Sequence, residues 1–393
     1  MEKIKKIQLL IIMFGLVSLF GDLIYESAKS INGQYLLLLG ASASIIGFFS
    51  GLTELLSNFL RFVFGFASDK TKKYWFFIIF GYFLLISIPL LALAKTWQVA
   101  FIFILFERIG KAIRGPARDT IVSFLTKKTK NIGFSFGIIE LLDQVGALIG
   151  PIILGFLFLV YSQNQINIYR FAYSILSLPF IILIFVLFLA YSYSRKIKIE
   201  VSKNVKKERL TKIFWFYTLF SFFTFLGFIN FAILGYHFKL NKIFPDYIIV
   251  FLYSLAMLSD ALIAPFIGKI YDRVKKVYKV NLLFIIPSLS ILIPFFIFSE
   301  SKFLIIIAIL LYGFVIGTQE TIMRAFIADV SPISKRGIAY GIYSFILGAS
   351  LFIGSSLIGY LYEISLTYLT FFIVFSQTFS MIFLIIIKKF LTS

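Results

Sequence analysis

Cysteine is absent from the 393 residues, and histidine occurs once, as His237. The first absence excludes disulfides and thiolate metal sites. The second leaves no histidine cluster for zinc, so no metal is expected. No Gly-rich phosphate loop of the type G-x-x-x-x-G-K-S/T is present, which argues against ATP as an energy source. Charge is scarce as well: 14% of residues are charged, against about 25% in a soluble domain. Acidic residues are the rarer sign, 18 against 38 Lys and Arg, giving a formal charge of +20. On a soluble protein that excess would suggest nucleic acid. Here the basic residues fall in short runs between apolar stretches, the pattern of loops facing anionic lipid, and no nucleic-acid partner is expected.

Apolar surface is what the chain has in plenty. Hydrophobic residues make up 60%, with 51 Phe, against about 45–50% apolar in a soluble domain. A membrane helix needs about 20 mostly apolar residues. Twelve stretches qualify, at roughly 8–38, 43–67, 75–94, 97–119, 132–159, 168–192, 213–239, 246–269, 278–298, 302–329, 337–362 and 366–388. The basic start, Met1–Lys6, runs into the first of these without a small-residue cleavage site and reads as part of an uncleaved span. The expected fold class is an all-α membrane protein.

The basic runs fix the expected orientation. They lie before the first span (Lys3, Lys5, Lys6) and in the second (Lys70, Lys72, Lys73), fourth (Lys127, Lys128, Lys130), eighth (Arg273, Lys275, Lys276, Lys279) and tenth (Lys335, Arg336) connections. The tail adds Lys388 and Lys389. All fall on one side, so both termini are expected to be cytoplasmic in a multi-pass protein of the cytoplasmic (inner) membrane. The sixth connection, 193–212, is the longest basic stretch and divides the chain into two six-span halves, 1–192 and 213–393.

The halves repeat. Gly65-Phe-Ala-Ser-Asp69-Lys70-Thr-Lys72-Lys73 returns as Gly268-Lys-Ile-Tyr-Asp272-Arg273-Val-Lys275-Lys276, at an offset of 203. Gly133, Gly137, Gly150 and Gly155 return as Gly337, Gly341, Gly354 and Gly359, at an offset of 204. Parallel six-span repeats around a midplane cavity are a transporter architecture. The twin loops, the two halves, the span number and the central linker together resemble the major facilitator superfamily over essentially the whole chain. The resemblance implies twelve transmembrane helices in two six-helix pseudo-repeats around a central cavity. It implies alternating access. A polytopic membrane enzyme and a non-transporting sensor are the alternative classes; mid-span acidic residues, short outer loops and no metal-ligand cluster argue against the enzyme, and the paired gate loops against the sensor. It does not name a substrate, because one fold hosts many functions.

The physics of the loops fits that reading. Gly65 and Gly268 permit a close helix neighbour. Asp69 and Asp272 are placed to cap a facing helix or to pair with Arg118 and Arg324, as a cytoplasmic gate that exchanges ion pairs when the halves move. The bland alternative is a solvated Asp in an ordinary basic loop. In the fifth span, Gly146, Gly150 and Pro151 resemble the G-x-x-x-G-P motif of the superfamily's exporting antiporters, and also read as ordinary tight helix packing. In the fourth span, Arg108 resembles the mid-span arginine that the superfamily associates with proton coupling.

Ionisable residues at mid-bilayer cost at least about 2.5–3.5 kcal/mol each on insertion scales and are usually functional. Asp22, Glu26 and Lys29 share a face of the first span, Glu54 and Arg61 of the second, Glu107 and Lys111 of the fourth beside Arg108, and Glu140 and Asp143 of the fifth. The second half offers only Asp260, Glu320 and Arg324. The amino half is therefore expected to carry protons, with Asp22 or Glu26 as the carrier and Arg108 as its movable partner. A static ion pair that only sets helix register is the alternative. The leading expectation is a proton-coupled secondary transporter exporting a small solute by antiport. The alternative is proton symport of an anionic solute, with Lys29, Arg61, Arg108 and Lys111 meeting its charge. The expected partners are a small-molecule substrate, protons and membrane lipids, with no cofactor and a monomeric state.

Overall fold

The structure is a computed structural model describing residues 2–128, 132–161, 165–194, 210–274, 276–332 and 335–392. Most of the basic linker, as well as Lys130 and Lys275, lies outside the described residues. Among the described residues the chain is helical, with no strand. Twelve segments follow in order: α1 Glu2–Leu38, α2 Ala43–Thr71, α3 Tyr74–Leu93, α4 Trp97–Lys128, α5 Ile132–Val160, α6 Ile166–Ser194, α7 Lys212–Leu240, α8 Asp246–Arg273, α9 Tyr278–Ile297, α10 Lys302–Val330, α11 Arg336–Ile364 and α12 Leu366–Thr392. Eleven are long and apolar enough to cross a bilayer. The other, α4, has the length but carries Glu107, Arg108, Lys111, Arg114, Arg118 and Asp119. Its helix continues past the expected end at 119, to Lys128, because nothing in that stretch breaks it.

Several segments are interrupted. α6 breaks at Leu176, between Ile175 and Ser177. α7 breaks after Leu226, where Gly227 ends the first piece and Asn230 caps the second by accepting from the Ala232 amide at 2.9 Å. Gln377 of α12 donates to Thr224 O at 3.0 Å, satisfying a carbonyl in the last turn before the break. α10 opens into a π turn at Gln319–Met323, a rare form that is frequent at functional sites.

The chain groups into two compact units. The first has the bounds Met1–Ala41, Leu56–Lys203 and Phe244–Ser254, the second Ser42–Leu55, Asn204–Ile243 and Leu255–Ser393. In the first, α5 lies hard against α1. A Cβ on Gly146 would collide with Leu19 O, and one on Gly150 with Leu23 O and Ser27 Oγ. In the second, α11 lies in the same way against α7: a Cβ on Gly354 would collide with Leu226 O, and Ser350 Oγ donates to Phe222 O. These contacts map onto each other at the offsets of 203 and 204 found in the sequence. Helices in lipid gain little from apolar burial, so backbone-close packing and interhelical hydrogen bonds hold them together. Each of the paired contacts supplies that.

Candidate functional site

The face of α1 that carries Asp22, Glu26 and Lys29 is only half-buried, whereas its neighbours Ile24, Tyr25 and Ala28 are buried. Glu26 sits between two donors from different helices. Lys29 Nζ lies 3.3 Å from Glu26 Oε1, and Tyr253 of α8 donates its hydroxyl to Oε2. Asp22 interacts electrostatically with Asp143, Lys111, Glu26 and Arg118. The carboxylates of α1 and α5 and the cations of α4 therefore form one network.

Tyr25 is the residue about which the cations gather. It is only 4% exposed. Lys111 Nζ lies 4.1 Å from its ring centroid, Lys29 Nζ 4.7 Å and the Arg108 guanidinium 4.8 Å. A cation over an aromatic face gains about 0.5–2 kcal/mol. The ring thus offsets part of the repulsion among three like charges and leaves the rest to nearby carboxylates.

A second, more enclosed part of α4 ties helices together. Glu107, 1% exposed, lies 3.5 Å from an Arg114 terminal nitrogen and 3.7 Å from Arg108 Nε. Arg114 donates to Gly81 O of α3 at 3.1 Å and covers the Tyr82 ring at 4.9 Å. Gly81 and Gly110 permit this: a Cβ on Gly81 would lie 2.7 Å from Gly110 O, and one on Gly110 would lie 2.6 Å from Gly81 O. One turn on, Arg118 donates to Ser18 of α1 at 2.7 Å and pairs with Asp119 at 3.4 Å. Asp143 of α5 bonds the same Ser18 and interacts with Arg118. Arg61 of α2 flanks Gly115, its guanidinium 3.4 Å from where a Cβ would stand.

The remaining sequence candidates fall elsewhere. Glu54 belongs to the stretch of α2 that groups with the second unit, and Glu140 is exposed on α5. In the second unit Asp260 is buried against α10, where a Cβ on Gly317 would lie 2.7 Å from its Oδ1. Glu320 stands exposed on the π turn, and Arg324 follows it.

The loop residues are brought to partners the sequence did not single out. Asp69 accepts from Tyr74 at 3.1 Å, and Lys72 donates to the same hydroxyl at 3.3 Å. Gly65 leaves ordinary contact distance to Pro116, and a Cβ on Gly268 would lie 3.2 Å from Thr321. Asp272 is exposed. In its neighbourhood Asp329 of α10 takes a 2.8 Å ion pair from Lys279 of α9 and a 2.7 Å hydrogen bond from Tyr271 of α8. Gly146 and Gly150 pack on α1, against Leu19 and Leu23.

Sequence reasoning missed Tyr25, Tyr253 and the Asp329 group. Tyr25 carried a signal: it stands four residues before Lys29, on a shared helix face. Tyr253 carried none, because it reaches Glu26 across a separation of 227 residues.

Two helix-packing repeats and a buried polar network inside lipid-length helices point to one class of protein, and sequence comparison decides it. The Major Facilitator Superfamily profile matches residues 9–355, and again 248–391. The chain belongs to the Major Facilitator Superfamily. An uncharacterised protein of Mycobacterium tuberculosis is 35% identical over 363 residues, covering 90% of this chain and 87% of the relative. An MFS-type transporter of Methanocaldococcus jannaschii is 29% identical over 361 residues, covering 90% and 88%. Among solved structures, a mutant of the nucleoside transporter NupG superposes with a TM-score of 0.77 at 14% identity, covering 96% of this chain and 98% of its own. A bacterial homologue of the human lysosomal transporter Spinster, inward-facing and unoccupied, gives 0.70 at 14%, covering 98% and 96%. Likeness at that identity concerns the fold alone. This superfamily member is a multi-pass membrane protein with the fold of a secondary transporter, acting on a small molecule and not an enzyme.

Proposed function

We propose that this superfamily member is a proton-coupled secondary transporter in which Glu26 is the carboxylate that takes up and releases the proton, with Asp22 as its neighbour in the network. The observation that carries this reading is the placement of Glu26 between Lys29 of its own helix and the Tyr253 hydroxyl of α8. Charge removed from Glu26 by a proton leaves Lys29 uncompensated, so protonation has a local electrostatic consequence that a shift of α8 against α1 can read. Arg108 lies beside Glu107 and over the Tyr25 ring, and Lys29, the cation next to Glu26, is proposed as the partner that answers its protonation.

The two halves 1–192 and 213–393, joined by the basic connection 193–212, are the bodies proposed to rock in alternating access. The tyrosine–aspartate–lysine groups around Asp69 and Asp329 are proposed as cytoplasmic latches. The side assignment, with both termini cytoplasmic in the inner membrane, rests on the basic runs. Of the two directions the sequence raises, proton-exchange efflux has support only from the resemblance of Gly146, Gly150 and Pro151. Symport of an anion is favoured by the three cations at Tyr25.

Reconstitution in proteoliposomes tests the reading. Wild-type protein should give solute-dependent currents that follow an imposed pH gradient. Glu26→Gln should bind solute and lose gradient-driven accumulation, with Asp22→Asn weakening it. Unchanged coupling in both variants would overturn the assignment.

A further inference from the structure

We infer that Asp22 of α1 and Asp143 of α5 form one proton-binding site, in which the two carboxyl groups share a single proton. The site is separate from Glu26, and it stands or falls independently of the carrier role proposed above. The amino half then takes up protons at two places rather than one.

Packing brings the two carboxyl groups together. α5 is seated on α1 in a register set by small residues: Gly15 of α1 faces Ile139 and Leu142, Gly146 faces Leu19, and Gly150 faces Leu23 and Ser27. That register sets Asp143 against the turn of α1 that runs from Ser18 to Asp22, and Asp143 bonds the Ser18 hydroxyl. Ser18 and Asp22 are four residues apart and share a helix face. Asp22 and Asp143 interact electrostatically. Helices that approach this closely hold their side chains at a fixed separation.

The groups around the pair come from four helices. α1 adds Glu26, one turn beyond Asp22, and α4 adds Lys111, Arg118 and Asp119. Glu140 of α5 is exposed, and α3 adds Tyr82 beside Gly21. Arg118 is engaged with Asp119 at 3.4 Å and with Ser18 at 2.7 Å, and Lys111 Nζ lies over the Tyr25 ring at 4.1 Å. Among the described residues neither Asp22 nor Asp143 makes an ion pair. Asp143 Oδ1 is buried and meets no hydrogen-bond donor. Two ionised carboxylates side by side repel, and a buried ionised oxygen without a donor forfeits its hydration. One proton between them removes both costs: one carboxyl becomes neutral and donates to the other.

Both cations that act on the pair belong to α4, which gives the site a way to release its proton. The glycines of α4 close on other helices, Gly110 on Gly81 of α3 and Gly115 on Arg61 of α2. α1 and α5 are thus the fixed part of the site, and α4 is the part that shifts against it. Lys111 or Arg118 brought closer favours two ionised carboxylates and expels the proton to water. Withdrawn, it lets the proton return.

The test is pH-difference infrared spectroscopy on the full-length protein in proteoliposomes, where a protonated carboxyl group gives a carbonyl band of its own. Wild type should show such a band at neutral pH, and isotope-labelled aspartate should displace it. Asp22→Asn and Asp143→Asn should each abolish the band, because the carboxylate left behind has no like charge beside it and still has both cations near it. Glu26→Gln should retain it. Titration across the pH range in which the band disappears should count one proton fewer on Asp143→Asn than on wild type. A wild-type spectrum without an aspartate-derived band needs no variant to fold, and it overturns the inference in favour of two ionised aspartates in a static network with Arg118 and Lys111. A band that survives both Asn variants, or is lost with Glu26→Gln, also overturns it. Gradient-driven flux in Glu26→Gln is read in parallel: lost flux with the band retained supports both sites, and retained flux with the band retained overturns only the carrier role of Glu26.

Discussion

Tyr253 donates its hydroxyl to Glu26 across 227 residues of sequence, joining α8 to α1 at a carboxylate that also holds Lys29. A hydrogen bond to a charged group contributes about 1.5–3 kcal/mol, so Tyr253→Phe should lower stability by that order while leaving the ring's packing intact. Denaturation of the purified protein with and without Glu26→Gln forms a double-mutant cycle. The tyrosine substitution should cost much less in the Glu26→Gln background, and additive costs would show that the bond is energetically idle.

Glu107 is enclosed between Arg114 and Arg108. Glu107→Gln removes a buried carboxylate that faces both guanidinium groups and should destabilise by about 3–5 kcal/mol, the usual result of breaking a buried pair from one side. Asp119 also pairs with an arginine, but its side chain is 66% exposed. Asp119→Asn should change stability negligibly, because solvent screens such a pair. Thermal unfolding of the two variants side by side checks the contrast.

The glycine contacts make a prediction in each unit. Gly150→Leu and Gly354→Leu both drive a side chain into a neighbouring carbonyl, Leu23 O in one case and Leu226 O in the other. Each should cost at least about 1–3 kcal/mol from overpacking. Gly337 has nothing within 4 Å of an added Cβ, and Gly337→Ala should leave stability unchanged or raise it by about 0.4–1 kcal/mol. Similar melting temperatures for all three would overturn the packing account.

Asp329 gathers Lys279 and Tyr271 from two other helices. Lys279→Met should cost only about 0–1 kcal/mol, since the pair is partly exposed, and the cost should shrink in high salt. Its larger effect should be kinetic: if this group is a latch, transport in proteoliposomes should alter in turnover before it alters in apparent affinity for solute. A change confined to affinity would count against the latch.

Much of the fold was legible because lipid imposes a one-dimensional rule: a spanning helix must be about 20 apolar residues long. The twelve segments and the repeat at 203–204 follow from counting, and α4 was found despite its charges because apolar residues still flank them. The breaks in α6 and α7 and the π turn of α10 were not legible, since local hydrogen bonding yields there to neighbours such as Gln377. Among site residues, helical spacing placed Asp22, Glu26 and Lys29 on one face and Glu107 and Lys111 on another. It could not say which carboxylate meets which cation. Nor did it point to Glu107 and Tyr25 as neighbours of Arg108, or to Ser18 as a partner of Arg118.

The sequence by itself determined that this chain lives in a membrane, crosses it as helices, repeats itself and concentrates its buried charge in the amino half. Each of those depends on composition or on spacing along one helix, where every residue's neighbours are fixed by a rise of about 1.5 Å per residue. Only the tertiary structure decided that Tyr25 gathers three cations, that Tyr253 completes Glu26, and that Gly146 and Gly150 seat against Leu19 and Leu23 of α1. Those relationships depend on how one helix is rotated and shifted against another. Packing sets that rotation through contacts hundreds of residues apart, and no local pattern records it.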